Sequence, residues 1–97
     1  MIRQIVLLRW KGEVPPQRRA ETIARMRALP AEVPQIMSYT VEENVGADPS
    51  NYDVVVIGEF ADMGALEAYR DHPVHQELIR EWTSPVLGER AGIQISG

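Results

Sequence analysis

Tyr69-Arg-Asp-His-Pro-Val-His-Gln-Glu-Leu-Ile-Arg-Glu-Trp82 carries both histidines of the chain, His72 and His75, on either side of Pro73. Proline has no amide donor and a fixed φ, so it suits the first turn of a helix and not its middle. The spacing therefore predicts that His72 caps a new helical run beginning at Pro73. In that run His75, Leu78, Ile79 and Trp82 fall on one face, at i, i+3, i+4 and i+7. Gln76, Glu77, Arg80 and Glu81 take the other side, so the face with His75 is expected to turn inward. An imidazole so placed is either a core group satisfied by one hydrogen bond or a working acid/base. The residues leave both open.

Upstream, Asp62 is a good N-cap for a helix through Ala65, Leu66 and Tyr69. Before it, Tyr52 to Phe60 reads as a strand, its Val54-Val-Val-Ile57 run unbroken and Gly58 leaving a gap on the Val54/Val56 face. Gln35 to Glu43 reads as another strand, between Pro34 and the turn cluster Asn44–Ser50, with Tyr39 and Val41 sharing a face. Gln17 to Leu29 has a helical seam of Ala20, Ile23, Met26 and Leu29 and stops at Pro30. Met1 to Trp10 alternates: Ile2, Gln4, Val6, Leu8 and Trp10 on one face, Arg3, Ile5, Leu7 and Arg9 on the other. Downstream, Glu89 to Ile95 is expected to be the last strand, with Ala91, Ile93 and Ile95 inward. The order is βαββαβ, an α+β class, with the last helix broken at His72-Pro73. Two helices cannot cover both faces of a four-stranded sheet, so they are expected to stack on one. Ile5, Leu7, Val55 and Ile57 are then left bare on the other, a patch that predicts a homodimer.

The 97 residues suffice for one domain, taken as 1–97, and 44% apolar with 25% charged content is that of a soluble globular protein. No apolar run approaches the about 20 residues that span a bilayer, and the N-terminal run is short for a signal peptide. With no cysteine the natural setting is a reducing cytoplasm. A net charge of −4 with scattered arginines gives no footprint for nucleic acid.

Gln4 is a polar group on an apolar strand face and needs a partner. If that face looks toward the helices, Gln4, Tyr69 and His75 converge on one cavity. Val6, Leu8, Trp10, Ile23, Met26, Val54 and Val56 would line it, with His72, chiefly a cap, and Trp82 completing the candidate ligand shell. The bland alternative is that these side chains pack on one another and leave no space. His72 and His75 as a chelate lack a third ligand, so no metal is expected. Neither a phosphate loop nor a serine elbow is present, and no cofactor is expected.

Met1-Ile-Arg-Gln-Ile-Val-Leu-Leu-Arg9, Tyr52-Asp-Val-Val-Val-Ile-Gly-Glu-Phe60 and above all Glu67-Ala-Tyr-Arg-Asp-His-Pro-Val-His75 together resemble the stress-responsive A/B barrel domain (Dabb) family, as does the link Ala28-Leu-Pro-Ala-Glu-Val-Pro34. The resemblance spans essentially the whole chain. It implies a ferredoxin-like monomer pairing into a dimeric α+β barrel. One plant member is a polyketide cyclase that closes a linear tetraketide by an aldol reaction. There a histidine matching His75 serves as base, with a tyrosine matching Tyr69 nearby and a second histidine in the first strand. Here that second position is Gln4, which hydrogen-bonds but does not titrate. The resemblance thus implies a homodimer with a small apolar or polyketide-like ligand and cofactor-independent proton transfer by His75 and Tyr69. A non-catalytic stress or ligand-binding dimer, and a cofactor-free monooxygenase as on related dimeric barrels, are the alternatives.

Overall fold

In the computed structural model, which describes residues 1–97, four strands form one antiparallel sheet in the order β2-β3-β1-β4. They are β1 (Ile2–Trp10), β2 (Ser38–Glu43), β3 (Val54–Phe60) and β4 (Leu87–Ser96). Helix α1 (Pro16–Arg27) joins β1 to β2. Helix α2 (Met63–Asp71) and helix α3 (Pro73–Leu78) follow β3, and α3 runs into a π turn over Ile79–Thr83. This is a ferredoxin-like fold.

The alternation of β1 sorts its residues as expected. Val6 and Leu8 are buried under the helices, whereas Leu7 on the opposite face is 36% exposed. β3 is flanked by strands on both sides, and Val54, Val56 and Phe60 are buried with Val6, Leu8, Ile23, Met26, Leu66 and Tyr69 in one core. On α1 the buried stripe is Thr22, Ile23 and Met26; Ala20, expected inward, is exposed. Thr22 extends the stripe on the flank away from Ala20, and its hydroxyl donates to the Arg18 carbonyl at 2.8 Å, which satisfies it inside the core. The gap at Gly58 is filled by aromatic rings: a Cβ there would lie 2.9 Å from the Phe60 ring and 3.4 Å from Tyr39.

The last strand corrects the sequence reading. Ile93 pairs with Ile5, Ala91 with Leu7 and Ile95 with Arg3. Directly paired residues share a face, so all three point away from the helices. Ile93 is 59% exposed and Ile95 39%. They join Ile5, Leu7, Val55 and Ile57 in one apolar patch, while Arg90, Gly92 and Gln94 face the helices. A period of two identifies two faces but not which of them meets the core. No helix is long and apolar enough to cross a membrane.

Asp62 caps α2, its Oδ1 accepting the Ala65 amide at 2.8 Å. Asp62→Ala should lower unfolding stability by about 1 kcal/mol, and Asp62→Asn should keep most of it. Urea denaturation at fixed protein concentration reads both.

Candidate functional site

Helix α2 cannot continue through Pro73, and the break reroutes three hydrogen bonds. In an unbroken helix the Val74 amide would reach the Arg70 carbonyl. It instead donates to His72 Nδ1 at 3.1 Å, so His72 is the cap that the sequence predicts. The freed Arg70 carbonyl is taken by the Gln76 side-chain amide at 2.6 Å and by His75 Nδ1 at 3.1 Å. A carbonyl only accepts, so in the neutral ring Nδ1 carries the proton and Nε2 keeps its lone pair.

The His75 ring stacks on Tyr69, centroids 4.2 Å apart. Tyr69 leans on Phe60 at 4.9 Å, and its hydroxyl meets that of Tyr39 at 3.0 Å. One hydroxyl of this pair donates to the other, which leaves the second proton free for a further oxygen. Burial raises the pKa of both phenols, so they stay protonated. His75 moves the other way. Burial lowers its pKa most, the Arg70 carbonyl partly opposes this, and the charges of His72 and Arg90 add to the lowering.

These groups border a cavity of ≈ 670 Å³ between β1, β4 and the α3/π segment. Its apolar wall includes Val6, Leu8, Met26, Val56, Leu78 and Ile79. Its polar rim holds Gln4, Tyr39, Tyr69, His75, Arg90 and Gln94. The Gln94 side-chain amide donates to Gln4 Oε1 at 3.0 Å, which meets the need for a partner noted for Gln4.

Of the residues proposed from sequence, the fold brings Gln4, Val6, Leu8, Met26, Val56, Tyr69 and His75 to this cavity. Ile23 and Val54 belong to the packed core behind it. Trp10 sits at the end of β1 where the register to β4 shifts, and its amide is held by Asp53 at 2.8 Å. His72 spends its Nδ1 on the cap. Trp82 is turned away because a π turn takes in an extra residue; its ring lies under the Arg18 and Arg25 guanidinium groups at 4.2 and 4.5 Å. Arg18 also donates to the Glu81 carbonyl in that turn at 2.9 Å. Tyr39 was missed although it shares a strand face with buried Val41. Arg90 and Gln94 were missed because β4 was read with its faces exchanged. No cluster of three or more His, Cys, Asp or Glu side chains forms that could hold a metal.

The stress-responsive A/B barrel domain (Dabb) family profile matches residues 2–95. The chain belongs to this family. No curated protein sequence matches it. Among solved structures, this Dabb chain is similar to a dimeric ferredoxin-like protein of unknown function from Thermobifida fusca, at 30% identity and TM-score 0.87, covering 98% of this chain and 89% of that one. It shares the fold of a Dabb family protein from Mesorhizobium loti at 19% identity and TM-score 0.85, with 99% and 95% covered. It also shares the fold of a hydroxynitrile lyase from Passiflora edulis at 16% identity and TM-score 0.84, with 97% and 90% covered.

The lowered pKa of His75 has a consequence for stability. A ring held neutral in the fold gives stability that is full above the ordinary imidazole value. It is lost as pH falls through that value toward the lowered one, where the folded ring also protonates. An NMR titration should find His75 protonating below its ordinary value. His75→Gln should flatten the acid limb of the stability curve.

Proposed function

We propose that this Dabb protein is a homodimeric, cofactor-independent enzyme that moves a proton next to a carbonyl, as in aldol-type cyclisation of a polyketide-like compound or isomerisation. The observation that carries this reading is His75. Its Nδ1 is tied to a backbone carbonyl, its Nε2 has no partner within the chain, and its ring is stacked on Tyr69 at a cavity that the hydrogen-bonded Tyr39/Tyr69 pair also lines. In the proposed step Nε2 takes the proton from the carbon next to a substrate carbonyl, and the electron pair moves to that oxygen. The free hydroxyl proton of the Tyr39/Tyr69 pair meets the enolate as it forms. Gln4, held by Gln94, faces a polar end of the substrate, and Val6, Leu8 and Leu78 take an apolar part. The same chemistry needs no titrating group at position 4. The absence of a first-strand histidine therefore removes one route for the proton and not the base. A cytoplasmic setting agrees with the cysteine-free sequence.

The dimer is proposed from the bare sheet face, where Ile5, Leu7, Ile57 and Ile93 stand side by side. Two such faces packed through a two-fold axis would form an α+β barrel. Leu7→Glu should shift the protein to monomer in analytical ultracentrifugation at concentrations where the parent sediments as a dimer.

Proton transfer is read most directly with β-diketone and poly-β-keto probes in deuterated water. NMR follows exchange at the carbon between the carbonyls, and product analysis follows ring closure. His75→Gln should lose roughly a hundredfold or more of the exchange, Tyr39→Phe and Tyr69→Phe less, all with the dimer folded. Undiminished exchange in the histidine variant is the result that rejects the reading.

A further inference from the structure

The cavity rim is cationic in a chain that is anionic overall. It contains no Asp or Glu, and its two charged residues are Arg70 and Arg90. Arg70 has a partner in Asp71, Nε to Oδ1 3.5 Å. Arg90 makes no ion pair within the chain. It stands on β4 opposite Leu8, on the helix-facing side.

What places its head is the residue two positions on. Gly92 pairs with Val6 and has the same facing. A Cβ at Gly92 would lie 3.2 Å from Nη1 and 3.4 Å from Nη2 of Arg90. The guanidinium thus rests on the stretch of sheet floor that a missing side chain leaves clear. From there its charge reaches both Tyr69 and His75. A planar fork with free donors beside an apolar wall suits a carboxylate on a hydrocarbon chain.

The geometry points to Arg90, bedded on Gly92, as a specificity-determining residue that selects an anionic substrate: an apolar oxo acid whose carboxylate meets the guanidinium while its carbonyl faces His75 and the tyrosine pair. This deepens the proposed proton transfer and rests on the same cavity. The carboxylate is held by Arg90 and the hydrocarbon by the apolar wall, so binding can be read without any chemistry.

Titration calorimetry of the intact dimer with octanoate, octyl phosphate and methyl octanoate tests this. Octanoate should bind more tightly than its methyl ester, and Arg90→Gln should weaken octanoate roughly ten- to a hundredfold while leaving the ester unchanged. Arg90→Lys should recover part of the loss. Gly92→Val, which keeps the arginine but fills its bed, should reduce the preference for octanoate over the ester. Binding of octyl phosphate but not octanoate would reassign the site to phosphate and overturn the carboxylate reading. Equal affinity for acid and ester, or an octanoate affinity indifferent to Arg90→Gln, overturns the anion site altogether. Failure of deuterium exchange with octanoate binding intact would count against proton transfer alone.

Discussion

The carbonyl of Arg70 is the point on which the site turns. A proline at position 73 cannot propagate the helix, the next amide is drawn to His72, and one backbone acceptor is left without its usual donor. That carbonyl, at the solvent edge of the site, takes its donors from the side chains nearest to it, the His75 ring and the Gln76 amide. The helix break, the tautomer of the imidazole and the direction of its free nitrogen are thus one event. A continuous helix through this segment would leave the same histidine in the sequence with no reason to hold Nδ1 protonated.

Around that point the polar groups divide by what burial does to them. The two phenols are pushed toward the protonated form and the imidazole toward the neutral form. Donors and base therefore coexist at the same pH without an ion pair between them. Burial is the largest cause in all three, because it disfavours whichever form carries charge. The cationic head of Arg90 restrains the rise at Tyr69 and deepens the fall at His75, so its position over Gly92 matters to both.

The sheet has two unlike faces. On one, Phe60, Tyr39 and Tyr69 pack closely where Gly58 admits them, and beyond β3 the floor opens toward β4 into the cavity. On the other, aliphatic residues of β1, β3 and β4 lie in register and uncovered by any helix. Which side of each strand carries chemistry follows from pairing with β1, the strand that touches both β3 and β4.

Local residue chemistry determined much of this. The alternation of β1, the unbroken valines of β3, the Asp62 and His72 caps and the break at Pro73 could each be read from a few neighbouring residues, because each depends on interactions within a turn or a strand. Helices on one face followed from their number. The facing of β4, the filling of Gly58 and the turn of Trp82 toward α1 could not be read in this way. They depend on which residue of a distant strand stands opposite and on where a π turn takes in one more residue. Arg90 and Gln94 entered the site, and Ala91, Ile93 and Ile95 left the core, for the same reason: two faces of a strand look alike until a register chooses between them.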